Sequence, residues 1–361
     1  MLPAEEREAY LALSLIPGIG PARLDHLSKV FGSYRGALGA PLGLLRSVPG
    51  MSVAAATAVV DRDRTTLGKL LRDSEAVGGR VLLPTDSEFP RSLLTIEDPP
   101  VWLFALGRLD LLGTAALAVV GSRHPTGYGI EVTRTVAGTA AQAGITIVSG
   151  MARGLDAVAQ WAAVEQPGGT VGVLGNGLGV IYPAANERLY TRVAESGLLV
   201  TEFPPGERPN AGSFPRRNRL IAALARATLV VEGSVKSGAL ITADAALNQG
   251  KEVFAVPGPV TSRLSEGTNA LIRDGATPYL EPADLASCFP ELEAYRRPEA
   301  AIGVTGQRPR RILEALDGVP RSVDALALEL GLAPHEVLGT LSELEVAGLA
   351  DRGPAGFTRA S

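Results

Sequence analysis

From Ala115 onward the chain alternates short, continuous apolar runs with longer windows in which apolar residues recur every three or four positions. The runs fall at 115–120, 145–149, 170–174, 198–202, 227–232 and 252–256; the amphipathic windows lie between them, at about 127–143, 154–165, 186–196, 216–226 and 238–249. Strands that are apolar on both faces and separated by helices predict an α/β unit, a doubly wound, mainly parallel sheet of the extended Rossmann-like type. Ligands of such sheets bind beyond the carboxyl ends of the strands. The unusual loops cluster at those ends: Gly121-Ser-Arg123, Ser149-Gly-Met-Ala-Arg-Gly-Leu-Asp156, Gly175-Asn-Gly-Leu-Gly179 followed by Tyr182-Pro183, and Glu232-Gly-Ser-Val-Lys-Ser-Gly-Ala239.

The flanks follow other patterns. Residues 1–80 read as a helical, SAM-like domain. Two helical apolar patterns flank Pro17-Gly-Ile-Gly20, the arrangement of a helix-hairpin-helix, in which glycines let backbone N–H groups approach a DNA phosphate. A weaker copy, Val48-Pro-Gly-Met-Ser52, lacks the second glycine. A purely structural role in helix packing is the even alternative, since Arg23 and Lys29 are the only bases close to the first hairpin. Residues 81–113 are proline-broken and read as a connector, with an extended piece at 101–106 joining a sheet edge. Residues 114–280 hold the Rossmann-like unit, and 281–304, rich in acids and proline, read as a linker. Three helices and a hairpin at 305–361 form a winged-helix pattern. Its third helix carries Glu336, Glu343 and Glu345 and no Lys or Arg, so protein contact is favoured over DNA reading there.

Composition narrows this picture only slightly. A net charge of −4 over 361 residues excludes a uniformly basic nucleic-acid binder but leaves room for a local patch. One cysteine, Cys288, permits no internal disulfide, the amino terminus has acids where a signal peptide carries bases, and no apolar run reaches the ~20 residues of a membrane span. A cytoplasmic protein without membrane partners is expected.

The local patch is Ser213-Phe-Pro-Arg-Arg-Asn-Arg-Leu-Ile221, which sets Arg216, Arg217 and Arg219 within four positions, with Arg208 upstream. Pro215 suits a first helical turn, so the guanidinium groups crowd a helix amino end that already favours anions. Taken alone, the cluster fits pairing with Glu202 and Glu232 as well as it fits phosphate. The glycine loops shift the balance. Gly121-Ser122-Arg123 and Gly150 through Arg153-Gly154 each put backbone N–H groups and one arginine at a strand end, and Lys236-Ser237-Gly238 opens another helix. Several guanidinium groups along one sheet edge suit a series of phosphates, as in a nucleic-acid strand. Phe214 and Tyr182 are candidate stacking faces for bases, although core packing is the favoured reading of Tyr182. No Walker-type Gly-x-x-x-x-Gly-Lys occurs, and Gly175-x-Gly-x-Gly179 lacks dinucleotide spacing. His26, His124 and His335 lie in three different segments, so no metal or cofactor is expected, and His124 has no nucleophile or orienting partner in view. Asp156, Glu202 and Glu232 at strand ends are expected to pair with the arginines.

Taken together and in order, Gly121-Ser-Arg, Ser149-Gly-Met-Ala-Arg-Gly-Leu-Asp, Tyr182-Pro-x-x-Asn186, Thr201-Glu, Phe214-Pro-x-Arg-Asn-Arg-Leu-Ile, Ser237-Gly-x-Leu-Ile-Thr and Val256-Pro-Gly258 through Glu266-Gly-Thr-Asn-x-Leu-Ile-x-x-Gly-Ala276 resemble the DprA/Smf family of DNA-processing proteins. The resemblance covers about residues 115–280, and the flanking domains match the layout of longer members. It implies a single-stranded DNA-binding protein, not an enzyme, that protects incoming DNA and loads the RecA recombinase onto it in natural transformation and works as a homodimer, with single-strand-binding protein as a further candidate partner. The DNA-binding positions implied are Gly121, Ser122, Arg123, Gly150, Arg153, Gly154, Asn186, Arg188, Phe214, Arg216, Arg217, Asn218, Arg219, Lys236, Ser237 and Gly238. Arg123 and the Arg217/Arg219 pair are expected to grip one strand, one of the pair facing phosphate and the other pairing with Glu202 or Glu232. The subunit contact is implied at Val253, Leu271, Ile272 and Pro278, and a RecA contact near Leu247 and Glu252. Members often carry lysine where this chain has Ala184 and Ala211; Arg188, Arg208 and Arg216 are the candidates to replace that charge. Two other readings compete: a nucleotide-processing enzyme of the Rossmann-like phosphoribohydrolase kind, which needs an acid–base pair in the cleft, and a winged-helix transcription regulator, which the acidic third helix opposes.

Overall fold

The computed structural model describes residues 2–295, 307–316, 320–346, 349–353 and 356–359, and the chain divides into two compact units, 1–296 and 297–361. The first unit opens with six helices: α1 (Ala4–Ser14), α2 (Pro21–Phe31), α3 (Tyr34–Leu38), α4 (Leu42–Leu45), α5 (Val53–Val60) and α6 (Arg64–Ala76). Their starts are set by local chemistry. Pro21 occupies the first position of α2, and the side chains of Ser33, Ser52 and Asp63 accept the orphan N–H groups that begin α3, α5 and α6. Arg23 donates to the carbonyls of Gly50 (2.6 Å) and Gly18, stapling the two Pro-Gly turns together, and Lys29 pairs with Asp25 at 2.7 Å. Both bases near the first hairpin thus have partners within the helical layer.

Nine strands follow: β1 (Arg80–Leu82), β2 (Leu103–Gly107), β3 (Ala116–Val120), β4 (Thr146–Ser149), β5 (Thr170–Val173), β6 (Leu198–Thr201), β7 (Ala227–Val230), β8 (Glu252–Ala255) and β9 (Thr277–Pro278). They form one sheet in the order β1-β2-β6-β5-β4-β3-β7-β8-β9. From β6 to β9 every pairing is parallel; β1–β2 and β2–β6 are antiparallel. The connecting helices are α7 (Gly127–Gln142), α8 (Leu155–Ala163), α9 (Glu187–Ser196), α10 (Ser213–Leu224), α11 (Gly238–Asn248) and α12 (Glu266–Arg273). Alternate residues of each strand serve opposite faces. Leu117 and Val119 pack with α7 and α8, whereas Ala118 and Val120 pack with α10 and α11. The helical layer is not separate: Phe104, Leu174 and Leu199 share one core with Leu11, Leu24 and Leu27. Buried Asp86 fixes the join, accepting from Arg7 (2.7 Å) and from the Leu83 amide (2.9 Å).

Two expectations need correction. Residues 81–113 are more than a connector: the extended piece expected at 101–106 is β2, and the stretch also supplies most of β1, because Leu103, Phe104 and Ala105 gain more buried apolar area and a full ladder beside β6 than a solvated linker would. The stretch 281–295 is not a linker either. It forms two 3-10 turns, Pro282–Leu285 and Pro290–Tyr295, and buries Leu285, Phe289 and Leu292 in the core that includes α7. The remainder of the expected linker, 296–304, lies outside the described residues.

The second unit has α13 (Gln307–Ala315), α14 (Val323–Leu330), α15 (Pro334–Val346) and the antiparallel pair β10 (Ala350–Gly353) and β11 (Gly356–Arg359). Ile312, Leu326, Val337, Leu341 and Phe357 fill its core. On α15, Glu336 pairs with Arg308 at 2.9 Å, and Glu343 and Glu345 are exposed.

Candidate nucleic-acid interface

Neighbouring strands β3 and β7 send their following helices to opposite faces of the sheet, α7 to one and α11 to the other. That divergence opens a crevice at their carboxyl ends. A cavity of about 510 Å³ lies there, lined by Ser122, Arg123, Phe214, Arg217, Ser237 and Thr242 among others. A second, of about 410 Å³, adjoins it over β4 and β5, lined by Gly150, Arg153, Tyr182 and again Arg123, Phe214 and Arg217.

The loops forming these walls are held from behind. Glu232, buried at the end of β7, accepts from the Thr126 amide (3.0 Å) and the Thr126 hydroxyl, which fixes the loop after β3. The Ser122 hydroxyl accepts the His124 amide at 3.1 Å. In the loop after β4, Met151 takes φ 55°, a left-handed conformation costly for a side chain of its size. It is held on both sides: its amide donates to Gln160 Oε1 (3.1 Å), and its carbonyl accepts from Asn186 Nδ2 (2.9 Å), which also reaches the Ala152 carbonyl (3.0 Å). Gly154 sits at φ +78°, and a β-carbon there would fall on the Ser122 carbonyl. The two phosphate-type loops therefore touch backbone to backbone, which only glycine permits.

Helix α10 delivers the arginines. It begins at Ser213, earlier than the pattern predicts, with Pro215 in its first turn, where its missing N–H costs nothing. Consecutive residues on a helix point about 100° apart, and those three apart share a side. Arg216 and Arg219 accordingly converge on one buried carboxylate, Glu202 Oε2, at 2.9 and 2.6 Å; Asp98 stands 3.4 Å from Arg219. Burial pushes the Glu202 carboxyl up, and Arg219 and Arg216 oppose that shift. Arg217 turns the other way, into the sheet, where it is 4% exposed. It donates to the carbonyls of Gly150 (2.5 Å) and Val173 and to Asn218 Oδ1 (3.2 Å). A β-carbon on Gly150 would lie 2.6 Å from its Nη2. Burial pulls the Arg217 guanidinium down to about 10 against the attraction of Asp156, whose own carboxyl burial raises. At the far end of α10, Lys251 donates to the carbonyls of Ala222, Ala223 and Ala225 at 2.6–2.9 Å and so closes the helix.

What faces the open side is a row of cation and rings. The exposed Arg123 guanidinium stands 5.7 Å from the Phe214 ring centre, and the Tyr182 ring lies 5.4 Å from Phe214 at an interplanar angle of 36°. Arg153 is exposed beside them. Such a row offers a phosphate partner and two π-faces at the spacing of one nucleotide or two.

The sequence of the chain matches the DNA recombination-mediator protein A family over residues 80–290 and the DprA winged helix domain over 296–356. The chain belongs to the DprA/Smf family. It is 40% identical to a putative DNA processing protein DprA of Mycobacterium tuberculosis over 81% of this chain and 79% of that one, and 41% identical to protein Smf of Escherichia coli over 77% of each. Its fold matches the X-ray structure of DprA from Streptococcus pneumoniae with a TM-score of 0.68 at 31% identity, covering 80% of this chain and 98% of that one. It also matches DNA processing protein A of Helicobacter pylori, described for its single-stranded DNA-binding mode, with a TM-score of 0.54 at 31% identity, over 60% of this chain and 97% of that one.

Measured on this DprA-family framework, the expected site residues divide. Gly121, Ser122, Arg123, Gly150, Arg153, Phe214, Arg217, Asn218, Ser237 and Gly238 meet in the two cavities; Gly154, Asn186, Arg216 and Arg219 support their walls. Arg188 and Lys236 are exposed but line neither cavity. Several roles need correction. Arg217 is a buried anchor rather than an open phosphate grip, because backbone carbonyls already take its donors. Asn186 and Asn218 spend their amides on Met151, Ala152 and Gly238 carbonyls. Glu232 pairs with Thr126 instead of an arginine. Tyr182, expected in the core, is 46% exposed, because Phe214 and not the sheet receives its ring. Of the expected subunit-contact residues, Val253 and Leu271 point into the core, while Ile272 is half-buried and Pro278 exposed on edge strand β9. Thr242, buried beneath the crevice, and Asp98 carried no local signal that set them apart.

Proposed function

We propose that the crevice and its row of rings bind single-stranded DNA, and that the protein protects such DNA and delivers it to RecA during transformation. The observation that carries this reading is the Arg123–Phe214–Tyr182 row beside two adjoining cavities at the strand ends. Single strands expose both phosphates and base faces to such a surface; a duplex hides its faces. A nucleotide-processing enzyme would need a free acid–base pair. The carboxylates available are committed instead: Glu202 to two arginines, Glu232 to Thr126 and Asp156 to the Gly150 amide (3.1 Å). Family membership does not favour that alternative. A titration of single-stranded DNA, duplex DNA and mononucleotide at two salt concentrations tests the reading. Single strands should bind tightest, with affinity falling as salt rises; equal affinity for duplex at moderate salt would refute it.

Removing residues 305–361 should leave single-strand affinity within about tenfold, ~1.4 kcal/mol, since the exposed acids of α15 repel a phosphate chain. Self-association through the β9 edge belongs to the same proposal. Ile272→Arg should yield a folded monomer by light scattering, because Ile272 is only half-buried; a folded dimer would remove Ile272 from the contact. Leu247 and Glu252, exposed on α11 and β8, are the surface we propose for RecA.

A further inference from the structure

A cavity of the helical layer lies apart from any role assigned above. It is a trough of about 1,000 Å³ between α1, α3 and the α5–α6 turn, at the upper end of the roughly 300–1,000 Å³ of small-ligand clefts. Its floor is apolar, made by Ala9, Ala12, Leu15, Ile16, Leu38 and Leu67. Along α1 the lining residues run from Glu5 to Ala12 at helical spacing, about 10 Å at 1.5 Å per residue, and Leu15, Ile16 and Pro17 continue the line past its end. The small, half-buried Ala12 lets another backbone come close.

Its rim carries more negative than positive charge, four carboxylates against two arginines. Glu5 and Glu8 stand on one side, Asp61 and Asp63 on the other. Two arginines also line it, and both are already occupied: Arg35 pairs with Glu5, and Arg62 donates to the carbonyls of Val59 (2.7 Å) and Leu38 (3.2 Å). Asp63 caps α6 through the Thr65 amide, and its hydrogen bonds hold its carboxyl below the usual range. Among the described residues the carboxylates of Glu8 and Asp61 have no hydrogen-bond or ion-pair partner. A nucleic-acid strand is repelled by such a rim. An amphipathic helix with apolar residues every three or four positions and lysine or arginine beside them complements both floor and rim.

We propose that this trough docks a basic amphipathic helix of another protein, independently of the DNA-binding crevice. Apolar side chains of that helix would sit on the α1 floor, and its flanking cations would meet Glu8 on one rim and Asp61 with Asp63 on the other.

The test uses the full chain and a fluorescent synthetic peptide of about four helical turns, built of leucine and lysine in helical register, with a scrambled isomer of equal charge. Fluorescence anisotropy should show the patterned peptide binding at least about tenfold tighter than the scrambled one. Glu8→Lys with Asp61→Lys should lose that binding by about tenfold or more. Glu131→Lys with Asp244→Lys, an equal change of net charge on exposed helix positions elsewhere, should leave it within about twofold. Ala12→Trp, which fills the trough without touching charge, should also abolish it, and single-stranded DNA binding should persist in all these variants. Equal binding of the scrambled peptide, equal losses in the two double variants, or full binding by folded Ala12→Trp would each overturn the proposal. So would capture of DNA by the trough, seen as a loss of single-strand affinity in folded Ala12→Trp. If Ala12→Trp does not fold, the comparison of the two charge-reversal pairs decides.

Discussion

Arg123→Ala is expected to weaken single-strand binding about tenfold, ~1.4 kcal/mol, while leaving the melting temperature unchanged. The side chain is exposed and packs on the face of Phe214; its attraction to Asp156 is offset by its repulsion of Arg217, so folding loses little. Binding loses a guanidinium that stands where both cavities meet. The plot of log affinity against log salt should also flatten, by up to ~0.7 for one phosphate contact on a single strand. Wild-type affinity with wild-type salt dependence would put the strand elsewhere.

The neighbouring arginines should behave in the opposite way. Arg217→Ala is expected to destabilise the protein by about 3 kcal/mol, because it strands two buried carbonyls and leaves buried Asp156 without its nearest cation. Arg217→Lys should rescue little, since one ammonium cannot reach the Gly150 and Val173 carbonyls and Asn218 in a planar fork. A pH series separates this account from simple loss of packing. Burial already raises the Asp156 carboxyl, and Arg217 holds it back; without Arg217 it rises further. A carboxyl raised in the folded state binds more protons than in the unfolded chain, so its contribution is present at low pH and lost as pH rises through its folded pKa. The deficit of the variant should therefore shrink on acidification toward the ordinary carboxylate range. A deficit independent of pH, measured by thermal or urea unfolding, would remove Asp156 from the explanation.

The six central strands could be read from the chain because each is a short apolar run buried on both faces, a pattern that needs no knowledge of its neighbours. β1 could not, and β2 is legible only as an extended piece at a sheet edge, without its partner. Val81 and Leu82 stand shortly before Pro84, Leu103 to Leu106 follow the prolines at 99 and 100, and what makes β2 a strand is β6, about a hundred residues away. The arginine cluster shows the same limit at finer scale. Its position at a helix amino end was legible, and so was the divergence of 217 from 219. Which of them lies buried depends on the carbonyls of β4 and β5, brought there only by the sheet. Tyr182 was misjudged for a related reason: a tyrosine beside proline gives no hint that its ring partner is Phe214, on the helix after the next strand. Glycine positions were more informative, since Gly150 and Gly154 mark where another group must come too close for a β-carbon.

The sheet order also has a consequence for synthesis on the ribosome. β2 leaves the exit tunnel long before β6, whose Val200 lies opposite Ala105 and whose following residue, Glu202, offers the carbonyl that Trp102 Nε1 reaches at 2.8 Å. At ~5–20 residues per second, roughly 95 residues of delay leave an apolar hairpin edge unpaired for about 5–20 s. Throughout that interval the nascent chain presents Leu103, Phe104 and Ala105 to whatever strand or chaperone it meets, so the most exposed moment in this protein's life falls midway through translation, before the sheet that hides those residues exists.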